Sequence, residues 1–304
     1  MTIETIEREA RAVGGKLNMI ERASAPAKAR EPNIGQMLLD AGKMTAADAE
    51  RVLQFQRERG LRFGEAAIAL NVVTETDIQQ IVARQFHYPY LLPGEGSYSD
   101  ELIAAYQPFS SGVEALRMLR AQLKLRWFDQ GHKSLVVMSL DRETGGSYTA
   151  ANLAVVFSQL GERTLLVDAN LRLPRQHEIF NVRSKIGFAD VLANRGGLDA
   201  VAAVSSFLSL SVLPAGTQAP NPQELLNRPS FRVLADQLEL NFDTVFYDAP
   251  AFSAGADALM LAAKVGGVLI VARKDATRMA GLSEMCAQLS RAGVDIVGSV
   301  FVDF

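Results

Sequence analysis

Three short stretches of the sequence carry residue types that could bind a phosphorylated ligand together with a divalent cation. Gly145-Gly146-Ser147 stand between an apolar run and a helical pattern, so the free amides at a helix start would surround this turn. Those amides and the helix dipole favour anions, and the Ser147 hydroxyl is placed to ligate Mg²⁺. Asp168 and Asp248 each end a separate apolar run, where carboxylates can hold a metal ion or act as a base. The simpler interpretations are two strand-end residues and, for Ser147, a helix N-cap.

A parallel sheet is the element that would bring these residues together. From Lys133 onward, short apolar runs alternate with helical segments. The predicted strands are Leu135–Leu140, Thr164–Val167, Leu208–Leu213, Thr244–Tyr247, Gly267–Ala272 and Ile296–Val302, and the predicted helices lie near 147–160, 187–193, 222–240, 255–263 and 278–292. Continuous apolar strands with helical crossovers predict an α/β domain, whose mostly parallel sheet has helices on both faces.

The N-terminal part of the chain contains a tandem repeat. Gly35 and Gly64 are 29 positions apart, and Thr45 and Thr74 have the same separation. Each unit has the pattern of a short helix, a turn and a longer helix with a threonine N-cap. We therefore predict a flexible tail over 1–32 and a small all-α helical-repeat module over 33–90. The Pro- and Tyr-rich composition that follows predicts a linker over 91–109, before an α/β domain over 110–304.

Composition excludes several classes of protein. The chain has 31 Lys and Arg against 34 Asp and Glu, a formal charge of -3, which argues against electrostatic binding of a nucleic-acid polymer. The single cysteine, Cys286, excludes a disulfide framework and a cysteine-based zinc cluster. No apolar run has the length of a membrane span, and the first residues lack the apolar core of a signal peptide. We expect a cytoplasmic protein.

Several motifs over residues 105–304 resemble the bacterial tyrosine kinases, the P-loop autokinases of exopolysaccharide synthesis. The chain looks most similar to the branch of chain-length-determinant tyrosine kinases. The motifs are Gly145–Ser147 with Thr149–Ala154, Leu165–Pro174, the strand that ends at Asp248, and Gly216–Leu226. The resemblance implies a P-loop NTPase-like fold that binds ATP or ADP through Gly145, Gly146, Ser147, Tyr148 and Arg172. It also implies Mg²⁺ bound by Ser147, Asp168 and Asp248, with the two aspartates in the catalytic role.

The sequence departs from the family pattern at the phosphate loop. Gly146 stands where the family has a basic residue, and Glu143 stands where a glycine is expected. Asn170 replaces an acidic residue, and Val302 replaces an asparagine that contacts adenine. Charge-assisted hydrogen bonds contribute roughly 1.5–3 kcal/mol each, so loss of the lysine alone would weaken binding about 10- to 100-fold. We expect a degenerate site that binds ATP weakly, with Arg142 as one candidate substitute.

Two functions remain open on these residues. One is a tyrosine-kinase-like protein that regulates exopolysaccharide chain length, polymerisation and export. The other is a catalytically inactive pseudokinase scaffold, in keeping with the absence of tyrosine after Tyr247, where the autokinases carry a tyrosine cluster. A partitioning ATPase of the same superfamily is less favoured. Both functions imply a separate membrane chain-length regulator as partner, which would recruit the protein to the inner face of the plasma membrane.

Two further resemblances concern assembly and a second ligand. The helix with Glu114, Arg117 and Arg120 resembles the family's ring-forming motif and implies a homo-oligomer, although a solvated helix face has the same pattern. The repeat module resembles the N-terminal domain of type II secretion and pilus ATPases, whose units begin Arg-Leu-Gly and can bind cyclic di-GMP. Here the second unit has Arg62-Phe63-Gly64 and the first has Asn33-Ile34-Gly35. Because asparagine cannot replace the planar guanidinium, a protein-interaction module is the alternative to cyclic di-GMP binding at Arg62 and Gly64.

Overall fold

The computed structural model describes residues 33–85, 90–91 and 95–303, and the chain divides into two compact units between Phe86 and His87. The tail predicted over residues 1–32 lies outside the described residues. Among the described helices, none combines the length and apolar character that a bilayer crossing requires.

The N-terminal unit contains two helical hairpins. Its helices are α1 (Ile34–Asp40), α2 (Ala46–Arg59), α3 (Phe63–Ala69) and α4 (Glu75–Gln85). Thr45 caps α2 by accepting a hydrogen bond from the Asp48 amide at 3.2 Å, and the Asp48 carboxylate accepts from the Thr45 amide at 3.0 Å. Thr74 and Asp77 form the same reciprocal cap on α4. The prediction of an all-α repeat before the sheet is therefore confirmed.

The repeated glycines lie where elements of this unit approach closely. A Cβ on Gly35 would lie 3.1 Å from the Phe63 ring, and a Cβ on Gly64 would lie 3.3 Å from the Ile78 side chain. Around these contacts the unit buries a small apolar core that includes Leu38, Val52 and Ile81. Packing is thus a sufficient physical reason for a glycine at this position of each repeat.

The second unit is built on a seven-stranded sheet in the order β3-β4-β2-β5-β1-β6-β7. The strands are β1 (Ser134–Ser139), β2 (Thr164–Asp168), β3 (Ala202–Ala203), β4 (Leu210–Leu213), β5 (Thr244–Asp248), β6 (Gly267–Arg273) and β7 (Asp295–Val302). Every neighbouring pair is parallel except β3 and β4. This arrangement confirms the predicted α/β class, and the short antiparallel β3 is the one strand of the described sheet that the apolar pattern missed.

Helices cover both faces of the sheet. They are α5 (Ile103–Tyr106), α6 (Ser111–Arg126), α7 (Gly146–Ser158), α8 (Gln176–Ile179), α9 (Phe188–Leu192), α10 (Pro222–Asn227), α11 (Pro229–Asn241), α12 (Asp257–Val265) and α13 (Met279–Arg291). Alternate residues of β1 serve two separate cores: Leu135 and Val137 pack with α6 and α7, whereas Val136 and Met138 pack with α11 to α13. A strand with both faces buried is apolar throughout, which explains its continuous hydrophobic run.

The described residues of the segment predicted as a linker over 91–109 belong instead to the α/β unit. Leu102, Ala104 and Ala105 are fully buried in the same core as α6 and α7. The Tyr98 ring packs against Phe180 and Phe207, with centroids 6.4 Å apart in each case. The prediction failed because the tyrosines that suggested an irregular segment serve as packing residues here.

Candidate nucleotide and cation site

The phosphate loop joins the end of β1 at Ser139 to the start of α7 at Gly146. Gly145 has φ +88°, a left-handed conformation that glycine adopts without a steric penalty. Glu143 also has positive φ, +57°, which side-chain-bearing residues seldom adopt. The conformation therefore explains why a glycine is expected at residue 143. Hydroxyl groups hold the turn, because Ser139 Oγ and Thr144 Oγ1 donate to the Asp141 carbonyl at 2.9 and 2.7 Å.

Gly146 is the first residue of α7 and contributes only backbone to this loop. A Cβ at residue 146 would lie 3.2 Å from Ser139 Oγ, closer than ordinary van der Waals contact. The α7 N-terminus retains the backbone amides that can bind an anion. The loop therefore retains a phosphate-binding backbone shape but lacks a side-chain cation at residue 146.

Asp168 and Asp248 lie side by side at the carboxyl ends of β2 and β5. They are register partners in the parallel ladder, and both side chains are completely buried. Asp168 Oδ2 accepts hydrogen bonds from the backbone N–H groups of Arg175 and Gln176 at 3.0 and 2.9 Å. The predicted pair of carboxylates is thus adjacent in the fold, and one of them also fixes the turn before α8.

Gln176 joins the carboxylates to the phosphate-loop helix. Its Nε2 donates to Asp248 Oδ2 at 2.7 Å and to the Ser147 carbonyl at 3.1 Å. The side chain is fully buried. The sequence predicts no role for Gln176, because its one signal is weak: a polar residue two positions after the motif that ends at Pro174.

Unpartnered buried atoms concentrate around this network. Within the described residues, the buried side-chain polar atoms without a hydrogen bond belong to Glu101, Thr149, Asp168, Gln176 and Asp248. For the two aspartates they are the Oδ1 atoms, and for Gln176 it is Oε1. Buried polar groups in folded proteins are nearly always partnered, and carboxylate and carbonyl oxygens suit Mg²⁺ and Mn²⁺. The residues present therefore fit a divalent cation.

Burial changes the acid–base behaviour of the carboxylate pair. It raises the pKa of Asp168 well above its usual range, and the charge of Asp248 acts in the same direction. Burial also raises the pKa of Asp248 to about 6, although the hydrogen bond from Gln176 and the interaction with the Ser147 side chain oppose the shift. Ionising both groups in this place is unfavourable, so the pair favours the uptake of positive charge, as a proton or as a cation.

The resemblance assigns Arg172 and Tyr148 to the cofactor. In the fold, Arg172 is paired with an aspartate and Tyr148 is half-buried. Arg172 forms a two-point ion pair with the buried carboxylate of Asp257, with nitrogen–oxygen distances of 2.5 and 3.1 Å. No hydrogen bond connects its guanidinium to the phosphate loop in the part of the chain that the structure describes. Tyr148 is half-buried on the first turn of α7, and burial raises the pKa of its hydroxyl.

Two other arginines bring positive charge to the site. Arg273, at the end of β6, donates from Nη1 to the Glu143 carbonyl at 3.3 Å. Arg175 forms an ion pair with Glu101 at 2.8 Å, and its charge acts to lower the pKa of Asp248. The sequence analysis considered only Arg142, because the approach of β6 to the phosphate loop depends on the order of the strands.

The residues predicted for assembly on α6 form contacts within the chain. Arg117 bonds to Glu114 at 3.1 Å and to the Tyr90 hydroxyl at 3.2 Å. Arg120 donates to the Val156 carbonyl on α7. These contacts attach α6 to its own unit and leave the proposed ring interface as a prediction.

Arg62 and Gly64, the candidate residues for cyclic di-GMP, lie at the start of α3. Arg62 is exposed and precedes the first turn of the helix. Gly64 faces Ile78 of α4, as described above. The two residues are near each other in the sequence, but only Arg62 presents a polar group to solvent.

Comparisons with known proteins place the second unit in a family. No family model matches the chain. The tyrosine-protein kinase YwqD of Bacillus subtilis is 32% identical over 199 residues, which cover 66% of this chain and 84% of YwqD. EpsB of Ralstonia solanacearum is 34% identical over 200 residues, 66% of this chain. Those residues amount to 27% of EpsB, so the chain spans about a quarter of that relative.

Solved structures agree with these relatives. The kinase domain of the Escherichia coli tyrosine kinase ETK matches with a TM-score of 0.64 and 29% identity, covering 66% of this chain and 79% of that domain. The chimerical protein CapA2B2 matches with a TM-score of 0.63 and 29% identity, over 74% of this chain and 97% of the chimera. The identity to YwqD and its coverage, together with the parallel sheet and paired strand-end aspartates, establish that this chain belongs to the bacterial tyrosine-protein kinase family.

Proposed function

We propose that the chain is a tyrosine-kinase-like P-loop protein that regulates exopolysaccharide chain length, polymerisation and export, and that its site binds ATP with Mg²⁺ weakly. The observation that carries this proposal is the combination of an intact carboxylate pair with an altered phosphate loop. Asp168 and Asp248 remain adjacent and buried, whereas Gly146 supplies no cation. Relatives named as tyrosine-protein kinases support the general role.

Two separate sets of residues would bind the phosphates and the Mg²⁺ ion. The backbone amides at Gly145, Gly146 and Ser147 would bind phosphate oxygens, and Arg273 would bring positive charge to the same loop. The Ser147 hydroxyl and the carboxylates of Asp168 and Asp248 would hold Mg²⁺. When bound, Mg²⁺ neutralises phosphate charge. Without a lysine on the phosphates, we expect affinity about 10- to 100-fold below that of a complete site.

The second candidate is a pseudokinase scaffold that does not depend on nucleotide. The observation that favours it is the carboxylate at Glu143, which adds negative charge to a loop that would receive phosphates. Gln176 also connects the ends of β5 and α7 without any ligand. In either case we propose assembly through the α6 motif and a cytoplasmic location beside a separate membrane chain-length regulator.

For the helical unit we propose a protein-interaction role in preference to cyclic di-GMP binding. The support is the packing of Gly64 on Ile78 and the replacement of the first arginine by Asn33. At the starts of the two repeat units a cyclic dinucleotide would then meet one guanidinium, that of Arg62, where a pair could contact phosphate from two sides.

Calorimetric titration of MgATP separates the two functions at the sheet. The kinase-like function requires a dissociation constant below about 100 µM for the unmodified protein. The scaffold function predicts no measurable heat of MgATP binding to the unmodified protein. Ser111→Lys is the matched control for an added charge, because Ser111 is exposed at the start of α6, outside the site. The variant Gly146→Lys places a basic residue back on the phosphate loop. An increase in its MgATP affinity beyond that of Ser111→Lys would come from the new charge at this loop.

A further inference from the structure

The Gln176 side chain is hydrogen-bonded through its amide nitrogen but not through its amide oxygen, and the family motifs do not explain this difference. Its amide nitrogen donates to the Ser147 carbonyl and to Asp248 Oδ2, so both N–H groups have acceptors. Its amide oxygen is buried and has no partner. A glutamine that served only to connect two elements would gain from having its oxygen bonded as well.

Three acceptor oxygens without a donor occur in this one hydrogen-bonded group. They are Asp168 Oδ1, Asp248 Oδ1 and Gln176 Oε1. Gln176 is bonded to Asp248 through its side chain at 2.7 Å and to Asp168 through its backbone N–H at 2.9 Å. A surplus of buried acceptors favours a bound positive charge, and oxygens of these two types are typical ligands of Mg²⁺ and Mn²⁺.

We infer that Gln176 is an additional oxygen ligand of the divalent cation held by Asp168 and Asp248, and that this cation binds without nucleotide. The inference deepens the proposed function and rests on it for the cation's role beside ATP. None of the three oxygens belongs to the phosphate loop. The replacement of a basic residue by Gly146 therefore leaves the cation ligands in place.

Gln176 also positions the other two ligands. Its backbone N–H and that of Arg175 hold Asp168 Oδ2, and its side-chain N–H holds Asp248 Oδ2. With each Oδ2 atom held, each carboxylate keeps its Oδ1 atom for the cation. Contacts that orient metal ligands typically change metal affinity by about 10- to 100-fold.

A proton shared by the two carboxylates is the competing explanation. It would supply a donor to the same oxygens, and no metal would then be required. The two explanations differ in a direct way. A cation site binds Mn²⁺ stoichiometrically in the absence of nucleotide, whereas a shared proton predicts no such binding.

The test is a titration of MnCl₂ into the metal-free full chain, with free Mn²⁺ followed by electron paramagnetic resonance and no nucleotide present. Gln176→Leu removes the oxygen and the amide, whereas Gln176→Glu keeps an oxygen ligand and adds a negative charge that offsets the loss of the N–H group. Gln237→Leu is the matched control, since Gln237 is exposed on α11. Circular dichroism of each variant checks that it folds.

We expect one Mn²⁺ per chain, displaced by Mg²⁺, with affinity lowered at least about tenfold in Gln176→Leu and retained in Gln176→Glu and Gln237→Leu. Absence of Mn²⁺ binding to the unmodified chain would overturn the inference, and so would equal affinity in Gln176→Leu. If Gln176→Leu fails to fold, loss of binding in the folded Gln176→Glu variant would overturn it. Mn²⁺ binding without any MgATP binding would remove the proposed ATP function and leave this inference standing. MgATP binding without nucleotide-independent Mn²⁺ binding would overturn this inference and leave the proposed ATP function standing.

Discussion

Ser139 and Gly146 face each other at the two ends of the phosphate loop, and a Cβ at residue 146 would lie 3.2 Å from the Ser139 hydroxyl oxygen. Residue 146 therefore cannot acquire a side chain without some movement of residue 139. The absence of a side chain at residue 146 and the presence of this serine are linked by geometry, because the Ser139 hydroxyl lies next to the space that a Cβ at residue 146 would occupy.

The first prediction concerns recovery of nucleotide binding. Gly146→Lys alone should improve MgATP affinity only modestly, because the new side chain must displace the Ser139 hydroxyl. Ser139→Gly combined with Gly146→Lys should improve it by about 10- to 100-fold over the unmodified chain. Calorimetric titration of each variant checks this order, and Ser139→Gly alone is the control. Equal affinities for the single lysine variant and the double variant would contradict the steric link.

Arg273 should contribute to any phosphate binding that the chain has. Arg273→Gln removes the charge that β6 brings to the Glu143 carbonyl, and we expect MgATP affinity to fall by roughly tenfold. Arg142→Gln should have a smaller effect, because Arg142 is exposed on the loop. Arg291→Gln, at the end of α13, is a control of equal charge change. A larger loss of MgATP affinity in Arg142→Gln than in Arg273→Gln would show that Arg142, and not Arg273, contributes more to phosphate binding.

The buried carboxylates should lower the free energy of unfolding as the pH rises. The pKa of Asp248 is raised from 3.8 to about 6, so the folded state holds this proton more tightly than the unfolded chain does. Stability from this group is fully present below pH 3.8 and is lost as the pH passes through about 6. Asp248→Asn should therefore be more stable than the unmodified chain at pH 8, by on the order of 3 kcal/mol.

Urea denaturation at several pH values, in metal-free buffer, measures this difference. The stability gap between Asp248→Asn and the unmodified chain should widen from pH 4 to pH 8. Added Mg²⁺ should narrow the gap at pH 8 if a cation neutralises the pair. A gap that stays constant across this range would contradict the raised pKa.

Asn152, on α7, should be essential for attaching the 101–104 segment to that helix. Its side chain is fully buried, donates to the Glu101 carbonyl at 2.9 Å and accepts from the Ala104 amide at 2.9 Å. Asn152→Ala leaves these backbone groups unpaired and should lower the free energy of unfolding by about 2–4 kcal/mol. Asn227→Ala, at an exposed position, should change it by less than about 0.5 kcal/mol. Chemical denaturation of both variants provides the comparison.

The helical unit should show no affinity for cyclic di-GMP on the order of tens of micromolar. The reason is that a single exposed guanidinium, Arg62, stands where paired units would each present one. Asn33→Arg restores the second arginine, and binding that appears only in this variant would indicate a ligand site lost by one substitution. Calorimetric heat from the unmodified chain at these concentrations would instead support a ligand-binding function.

The strands and their aspartates were predictable because they depend on local pattern. A strand buried on both faces is apolar along its whole length, and parallel topology then places Asp168 beside Asp248. The antiparallel β3 was missed because two alanines, Ala202 and Ala203, carry no strand signal. The Pro- and Tyr-rich composition of 91–109 wrongly predicted a linker, because aromatic rings next to prolines can also pack in a core.

Long-range contacts account for the site residues that the sequence analysis missed. Gln176 contacts Asp248 across 72 positions, and Arg273 contacts Glu143 across 130. No spacing rule identifies such pairs, because they follow from the order of strands in the sheet. Arg172 forms another such contact, an ion pair with Asp257, and its role toward a cofactor stays a prediction.

The contact between Gly35 and Phe63 makes the two copies of the N-terminal repeat depend on each other. Phe63 of the second copy covers the glycine of the first, and Lys43 of the first copy forms an ion pair with Asp77 of the second at 2.9 Å. Each copy therefore completes the other, and deletion of either would leave its sister with an uncovered apolar surface. We therefore expect that neither copy folds stably without the other.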